Sequence, residues 1–503
     1  MKHATLIALL PILLLASCGG EEKPSAPDPK TGKFNVILIS ADTLRADRLG
    51  CYGYDKRRSS PTLDAMASEG IVFENLITTS PWTTPAHLSM LTSLYPSTHG
   101  LTSSFIDMWS ALFGKGDFFK LPAHRVTLAE VLKTSGFKTV AFTAGGPVDP
   151  DIGFDQGFEH YGTAMFKLRH ENMDEMFKWI RDNSRKQFFL FWHHFEVHAP
   201  YLNTYFVTDV LPNDKGKAVT GQMNHIADIS LASVWPTGAS KLRKKQRAVL
   251  KNNDVFNMDV CESLYVGGVL KQDRWLAKLV KLLKKEGLYD NTMLVFTSDH
   301  GEELGDHNPS LFYNMHGHTL YEEMIHVPLV IKLPGQYASG TRIGDPVSTI
   351  DIMPTILDFL EVTPKKNQMQ GISLKPYWMG AKPESKRPGV FTEAMARKEE
   401  KKSIRTDRYK YIITIARESV EKHGRDFIPP DPARIELYDL QSDPKEQKNL
   451  LAGEHDARTN RLAAGFDSMV RAHQESLEGE AEKTTLDKDT VEKLKGLGYM
   501  GEH

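Results

Sequence analysis

The sequence is short of cysteine, nearly balanced in charge and without visible internal repeats. Three cysteines in 503 residues cannot supply a disulfide framework for the fold. The chain has 62 basic and 64 acidic residues, a formal net charge of −2, so no overall field favours nucleic acid as a partner. The hydrophobic content of 40% and the length are those of a globular protein with a large core.

The first residues have the pattern of an export signal. A short basic start precedes the mostly apolar run Ala4–Ala16, which is too short to span a bilayer and is typical of a signal-peptide core. The run ends in Leu15-Ala16-Ser17-Cys18, which resembles a bacterial lipoprotein signal whose cysteine is lipidated before cleavage. An ordinary cleaved signal with an incidental cysteine is the alternative.

The segment behind this cysteine is rich in proline and charge, so residues 19–33 are predicted to form a flexible linker. We therefore expect residues 1–18 to be a signal peptide, with Cys18 as the lipid anchor to the membrane. The expected location is the bacterial cell envelope, on the periplasmic face or the cell surface. The residue after Cys18 is Gly19 and not an aspartate, which favours the outer membrane. The remaining Cys51 and Cys261 are expected either to pair or to be free thiols.

Strand-like and helix-like segments alternate over most of the chain. Near-continuous apolar runs predict buried parallel strands, and helical spacing of leucines predicts the helices between them. This alternation predicts an α/β sandwich around a mostly parallel sheet, whose site lies beyond the carboxyl ends of the strands. The predicted strands are 34–40, 139–143, 188–192 and 293–297, and the clearest helices are 128–135 and 275–283.

The pattern changes near residue 375, and the stretch 380–387 is polar and contains proline. Strand-like pieces follow at 389–391 and 409–413, and a charged helix is predicted from His455 onward. We expect a catalytic domain over 34–375 and a small C-terminal α+β subdomain over 376–503.

Three metal-ligand side chains follow two of the predicted strands. Asp42 comes just after the first strand, and the adjacent Asp299 and His300 come just after the strand 293–297. Oxygen and nitrogen ligands at the ends of parallel strands can converge on one divalent cation. A single aspartate after a strand is often only a helix cap, so the prediction depends on all three residues together.

A threonine at a predicted helix start is the candidate nucleophile. Pro85 suits the first turn of a helix, for which Thr84 is the expected cap. Thr83 then lies against the helix N-terminus, where free amides favour an alkoxide or a bound oxyanion. A cation held by the three ligands, with the Thr83 oxygen as a fourth, would lower the pKa of its hydroxyl. The alternative is that both threonines only cap the helix.

Eight motif blocks follow in order along the chain, at 40–54, 83–100, 198–201, 297–302, 316–329, 351–355, 404–411 and 437–444. They resemble the sulfatase family of the alkaline phosphatase superfamily, and the resemblance spans roughly residues 34 to 500. The resemblance implies a metal-dependent hydrolase of sulfate or phosphate esters with that family's fold. It implies one divalent metal ion, calcium in a sulfatase-like site and manganese or zinc in a phosphodiesterase-like or transferase-like site.

The block with His198 resembles the motif in which a histidine contacts the ester group. His198 and His316, and also His87, are candidates to protonate the leaving oxygen or to hold the anion. Each of these histidines has a structural role as its alternative.

Departures from the sulfatase pattern bear on the substrate. Sulfate-cleaving members carry a cysteine or serine, converted to formylglycine, where this chain has Thr83, and an arginine where it has His87. The aspartate usual beside Asp42 is Thr43, and the lysine expected before Tyr321 is missing. Threonine at the nucleophile position resembles the phosphodiesterase, phosphonate hydrolase-like and phosphoglycerol transferase relatives.

These departures favour hydrolysis or transfer of a phosphate ester or phosphodiester. The first alternative is a true sulfuric ester hydrolase of the arylsulfatase kind, and the second is a non-catalytic, ligand-binding surface lipoprotein. The expected substrate is an ester of a small molecule, a glycan or a lipid headgroup. No nucleic acid partner is expected.

Overall fold

A nine-stranded sheet forms the centre of the computed structural model of this chain. The structure describes residues 32–102, 118–163, 169–233, 245–246, 248–253, 258–307, 316–383, 387–396, 399–416, 435–477 and 482–484. The predicted signal peptide, Cys18 and almost all of the predicted linker lie outside the described residues and stay predictions. No described helix is both long enough and apolar enough to cross a membrane.

Eight strands of the central sheet lie in the order β10-β2-β8-β7-β1-β6-β4-β5, and β9 pairs with β2. All neighbours are parallel except the pairs that β8 makes with β2 and β7. The prediction of a mostly parallel sheet is therefore confirmed. The strands are β1 (Asn35–Ala41), β2 (Ile71–Ile77), β3 (Phe118–Lys120), β4 (Lys138–Thr143), β5 (His160–Thr163), β6 (Phe188–His194), β7 (Thr292–Thr297), β8 (His326–Lys332), β9 (Thr341–Ile343), β10 (Val347–Ser348), β11 (Val390–Ala396), β12 (Glu399–Arg405), β13 (Tyr409–Ala416), β14 (Ile435–Asp439) and β15 (Glu482–Thr484).

Helices cover both faces of this sheet. Strand β1 shows why, because Val36 and Leu38 pack into one apolar cluster while Ile37 and Ile39 pack into the other. A strand buried on both faces needs a continuous apolar run, and β1 has one. The helices are α1 (Pro61–Ser68), α2 (Thr83–Thr92), α3 (Pro96–His99), α4 (Leu128–Thr134), α5 (Arg169–Asp182), α6 (Val207–Val210), α7 (Asn213–Ser233), α8 (Met258–Lys285), α9 (Glu322–Ile325), α10 (Ile352–Phe359), α11 (Lys375–Trp378) and α12 (Ala457–Glu475).

A second, antiparallel sheet follows in the C-terminal part of the chain. Its strands lie in the order β11-β12-β13-β14, and α12 packs Phe466 and Val470 against Tyr411 and its neighbours. The predicted small C-terminal subdomain is therefore confirmed, while its boundary at residue 375 stays a prediction. A third, two-stranded sheet joins β15 to β3.

The two cysteines of the described chain do not pair. Cys51 is half-buried and Cys261 is buried, and both are free thiols. Of the two alternatives left open by the sequence, the structure has the unpaired one.

Candidate active site

The carboxyl ends of β1 and β7 bring the predicted metal ligands together. These strands are parallel neighbours with Ser40 opposite Thr297, so Asp42 and Asp299 leave the same edge of the sheet. Asp42, Asp299 and His300 are fully buried, and one ligand atom from each lies within 4.8 Å of the others. We refer to these three residues as the strand-end cluster.

Hydrogen bonds fix the backbone around the strand-end cluster. The Ser298 hydroxyl donates to the Ala41 carbonyl at 2.5 Å, and the Thr43 amide donates to Asp299 Oδ1 at 3.2 Å. Thr43 has φ +61°, a strained conformation for a β-branched residue. The Tyr265 hydroxyl donates to the Thr43 carbonyl at 2.6 Å and thereby holds this turn in place.

The strand-end cluster carries negative charge that the described residues do not neutralise. Asp42 Oδ1 and Asp299 Oδ2 are buried without a hydrogen-bond partner, and no described lysine or arginine forms an ion pair with either carboxylate. Burial, and then the charges of Asp299 and Glu302, raise the pKa of Asp42 well above its usual value. Burial also acts to raise the pKa of Asp299, but the neighbouring His300 and His87 outweigh it and lower that pKa.

The strand-end cluster therefore fits a divalent cation. Two buried oxygens lack partners, and a cation between them would relieve the repulsion of the carboxylates. His300 is oriented for the same purpose, because its Nδ1 lies 2.8 Å from the Gly301 carbonyl and donates to it. Its Nε2 is then the lone-pair nitrogen that faces the cluster.

Thr83 lies at the first position of α2, with its hydroxyl against the strand-end cluster. Thr83 Oγ1 is 3.1 Å from His300 Nε2 and 3.4 Å from Asp42 Oδ2. The predicted role of Thr84 as the cap is wrong. Helix α2 begins at Thr83, after Trp82, and has no side-chain cap. The Thr84 hydroxyl instead donates to the Pro147 carbonyl at 2.7 Å.

His87 lies one turn behind the candidate nucleophile and is fully buried. Its Nδ1 donates to the Thr83 carbonyl at 2.9 Å, and its Nε2 then accepts from the Ser40 hydroxyl at 2.8 Å. Burial lowers the pKa of this imidazole. The geometry favours a supporting contact to the nucleophile's helix over the predicted contact with the ester.

His198 and His316 lie beside the strand-end cluster, with ring centroids 5.3 Å apart. The His316 ring is also 4.6 Å from the His300 ring, centroid to centroid. His198 Nδ1 is 2.6 Å from the Ala199 carbonyl, and His316 Nδ1 is 2.9 Å from Glu302 Oε1. The structure thus brings all the predicted site residues to one edge of the sheet.

Sequence reasoning missed His193 and Glu302, whose side chains contact these residues. His193 Nε2 lies 3.1 Å from Asp42 Oδ2, and burial lowers the His193 pKa well below its usual value. The signal was present, since His193 follows the predicted strand 188–192 and so falls at the edge where the site was expected. Glu302, the partner of His316, had no comparable signal beyond its closeness to His300 in the sequence.

A second group with ligand-type side chains lies farther along the same connection. One ligand atom each from Glu303, His307 and Glu323 lies within 4.8 Å of the others, and we refer to them as the loop cluster. His307 Nδ1 is 2.7 Å from Glu323 Oε1, and its Nε2 is 3.1 Å from the Glu446 carbonyl. Burial alone would lower the pKa of His307, but its hydrogen bond to Glu323 and the acidic neighbours raise it to about 9. An imidazolium therefore occupies the loop cluster at neutral pH and leaves no lone pair for a metal.

Comparisons with known proteins agree with this geometry. The sulfatase family model matches residues 34–362, and the model of the C-terminal part of N-sulphoglucosamine sulphohydrolase matches residues 313–469. An ulvan-active sulfatase of Formosa agariphila is 26% identical over 91% of this chain and 86% of its own length. The multifunctional alkaline phosphatase superfamily protein PehA of Trinickia caryophylli is 26% identical over 83% of this chain and 91% of its own.

A solved structure gives the same result for the fold. A protein in complex with its substrate D-glucosamine-2-N,6-O-disulfate superposes with a TM-score of 0.64 at 20% identity, over 88% of this chain and 97% of that one. The family model alone covers more than half of the chain. The chain belongs to the sulfatase family of the alkaline phosphatase superfamily, whose members hydrolyse ester bonds.

Proposed function

We propose that this hydrolase cleaves or transfers phosphate esters, phosphodiesters above all, with Thr83 as the nucleophile. The observation that carries the proposal is the position of the Thr83 hydroxyl at the start of α2, 3.1 Å from His300 Nε2. A threonine cannot be converted to formylglycine, so the hydroxyl itself must attack. Attack by a hydroxyl oxygen and formation of a covalent intermediate is an established route for phosphoryl groups.

Asp42, Asp299 and His300 would hold one divalent cation, with the Thr83 oxygen as a further ligand. When bound, the cation would lower the pKa of the hydroxyl and offset charge on the ester. Calcium is the candidate for a sulfatase-like site, and manganese or zinc for a phosphodiesterase-like site. The free amides at the start of α2 favour the same anionic oxygens.

The charge of the site supports a monoanionic substrate. Asp42, Asp299 and Glu302 are buried carboxylates, and no described lysine or arginine pairs with either aspartate. A phosphodiester carries one negative charge, whereas a phosphate monoester carries close to two at neutral pH. A bound divalent cation would offset the two aspartates, and the remaining charge of Glu302 disfavours the more highly charged monoester.

The remaining steps use His198 and His316. One of them protonates the leaving oxygen when Thr83 attacks, and water or an acceptor alcohol then releases the phosphoryl group from Thr83. The relative named as a multifunctional alkaline phosphatase superfamily protein supports an assay with several ester classes.

The test compares two neighbouring threonines. Thr83→Ala should reduce turnover of bis(4-nitrophenyl) phosphate by roughly 10³-fold or more, because loss of an activated nucleophile leaves only binding contributions. Thr84→Ala is the matched control, since its hydroxyl bonds to the Pro147 carbonyl and not to the strand-end cluster. After trapping with a slow substrate, mass spectrometry should find the phosphoryl adduct on Thr83. Wild-type turnover by Thr83→Ala, or an adduct on Thr84 or Ser89, would refute the proposal.

Sulfate-ester cleavage is the second candidate, favoured by the 26% identity to an ulvan-active sulfatase. An aryl sulfate, a phosphate monoester and a phosphonate monoester, assayed beside the diester with a metal panel, decide between the classes. Turnover of the aryl sulfate above that of the diester would favour this candidate.

The envelope location is proposed together with the activity. A lipidated Cys18 at the mature N-terminus would place the site at a membrane surface, within reach of lipid-headgroup or glycan esters. Cys18→Ala should release the protein from the membrane fraction or block its maturation. A mature N-terminus elsewhere, with an unmodified Cys18, would refute the anchor.

A further inference from the structure

We infer that Glu302 is a positioning residue for His316. It keeps a proton on Nδ1 of the His316 ring, so that Nε2 is the nitrogen that exchanges a proton with the ester. The contact that carries this inference is the 2.9 Å distance between Glu302 Oε1 and His316 Nδ1. The inference rests on the proposed function, because it assigns a partner to one of the two histidines that act there.

The backbone of Glu302 is held from two sides. Its amide donates to the Glu323 carbonyl at 3.1 Å, and its carbonyl accepts from Arg45 Nη1 at 3.2 Å. The preceding Gly301 packs so closely that a Cβ there would lie 1.9 Å from the Glu323 carbonyl oxygen. The Glu302 side chain is fully buried, so its carboxylate has a fixed position and little access to water.

The His316 ring also packs against Trp82, the residue before the nucleophile. The ring centroids of Trp82 and His316 are 4.9 Å apart. Gly317 has φ +83°, and a Cβ at this position would lie 2.3 Å from Trp82 Cε3, so only glycine allows the indole so close. Trp82 and Glu302 thus restrain the ring in two directions, which fixes its orientation relative to Thr83 and His300.

Because a carboxylate accepts but does not donate, the hydrogen bond to Glu302 requires the proton on Nδ1 of His316. The same charge stabilises the ring when Nε2 is also protonated. In the first step, the Thr83 alkoxide forms a bond to phosphorus, the bond to the leaving oxygen breaks, and that oxygen takes the Nε2 proton. In the second step, water attacks phosphorus, Thr83 leaves as the alkoxide, and Nε2 takes the proton from the water.

A double-mutant cycle tests whether Glu302 acts through His316. With a phosphodiester whose leaving group is an alkyl alcohol, which needs a proton to depart, Glu302→Gln should lower kcat by on the order of 10²-fold while KM changes little. In a His316→Asn background the same substitution should cause no further loss, because its target is gone. Losses that multiply across the two variants would overturn the inference.

Two controls separate positioning from other effects. Glu302 also contributes to the raised pKa of Asp42, so bound metal is quantified in every variant and should be unchanged. Glu303→Gln is the matched control, because it removes a neighbouring buried carboxylate that accepts from the Gly305 amide instead of contacting His316. A kcat loss in Glu303→Gln equal to that in Glu302→Gln would also overturn the inference.

A spectroscopic readout requires neither turnover nor a folded variant of Glu302. The ¹⁵N shifts of the wild-type His316 ring, assigned by their loss in His316→Asn, should report a protonated Nδ1. A wild-type ring protonated on Nε2 alone would refute the assignment. Absence of any phosphate- or sulfate-ester turnover by the wild type would refute the proposed function instead, while the ring shifts would still decide the contact with Glu302.

Discussion

The strand-end cluster and the loop cluster are built from the same kinds of side chain and share one connection of the chain. In the strand-end cluster, two carboxylates face one another with an oxygen of each left without a partner. In the loop cluster, His307 donates to Glu323 and to the Glu446 carbonyl, and the Gly305 amide donates to Glu303 Oε1. The strand-end cluster therefore has carboxylate oxygens without partners, whereas the carboxylates of the loop cluster accept hydrogen bonds from His307 and from a backbone amide.

The difference teaches that ligand-type residues in proximity do not by themselves make a metal site. What separates the two clusters is the partner of each polar atom. A protonated imidazole already neutralises the loop cluster, whereas no lysine or arginine of the described residues pairs with the strand-end cluster, and burial lowers the pKa of the neighbouring His193 and His87. Uncompensated buried charge is costly unless an ion or a proton is bound, and this distinguishes a binding site from a structural network.

The largest effect is expected when the uncompensated charge of the strand-end cluster is removed. Asp42→Asn removes one carboxylate of the strand-end cluster, so metal binding should be lost and ester turnover should fall by about 10³-fold or more. Metal-free Asp42→Asn should be more stable than the metal-free wild type, because the repulsion with Asp299 is gone. Metal analysis and thermal unfolding with and without a chelator measure both effects. Full metal occupancy in the variant would remove the distinction between the clusters.

In the loop cluster, the opposite change is to remove the cation that neutralises its carboxylates. His307→Gln removes the cation between Glu303 and Glu323, which should lower the free energy of unfolding by about 3 kcal/mol. Metal content at the strand-end cluster should be unaffected. Urea unfolding measures the loss, and an unchanged midpoint would show that the imidazolium does not neutralise this cluster.

The pH dependence of stability also tests whether a protonated His307 neutralises the loop cluster. The pKa of His307 is raised to about 9 in the folded protein, so its stabilisation is present below its unfolded pKa of about 6.5 and is lost toward pH 9. Burial and the charges of Glu323 and Asp306 raise the pKa of Glu303 to about 7, so that group also destabilises the fold as pH rises. Glu446 behaves alike, since burial raises its pKa to about 7.

All three groups bind protons more tightly in the folded state, so the free energy of unfolding should fall as pH rises. The fall from Glu303 and Glu446 lies between about pH 4.5 and 7, and that from His307 lies between about pH 6.5 and 9. The expected fall from His307 is about 2 kcal/mol. His307→Gln should flatten this part of the profile in unfolding experiments at several pH values. An equally steep profile in the variant would contradict the assignment to His307.

The smallest effect concerns the turns beside the clusters. The strand-end cluster has Thr43 at φ +61°, whereas the loop cluster has Gly305 at φ +93°. Thr43→Asn should raise the free energy of unfolding by about 0.5 kcal/mol, because asparagine tolerates the left-handed region better. Gly305→Ala should lower it by about 1 kcal/mol. If Thr43→Asn destabilises the protein, the strain at Thr43 is already offset by its contacts.

The predictable parts of this fold and site depended on local patterns. Strand β1 is a continuous apolar run, and its burial on both faces followed from that alone. Asp42, Asp299 and His300 were predictable as neighbours because each comes directly after a buried strand. The antiparallel direction of β8 was not predictable, because side-chain alternation does not encode strand direction.

The parts that could not be predicted depend on tertiary partners. The Thr84 hydroxyl was expected to cap its own helix, but the Pro147 carbonyl, distant in the sequence, accepts from it instead. The contact between Glu302 and His316 also joins residues separated by a loop. The position of His87 one turn behind Thr83 follows from their spacing on one helix, but its contact with Ser40 joins residues that no spacing rule relates.

The reversed direction of β8 has a consequence for how this enzyme can diversify. Because β7 and β8 are antiparallel neighbours, the chain leaves β7 and enters β8 at the same edge of the sheet. No crossover helix is needed, so the whole connection from Ser298 to Ile325 begins and ends beside the site. It supplies Asp299, His300, Glu302 and His316, and insertions or deletions within it can reshape the pocket without changing the order of the strands. We expect substrate range among relatives to track the length of this connection.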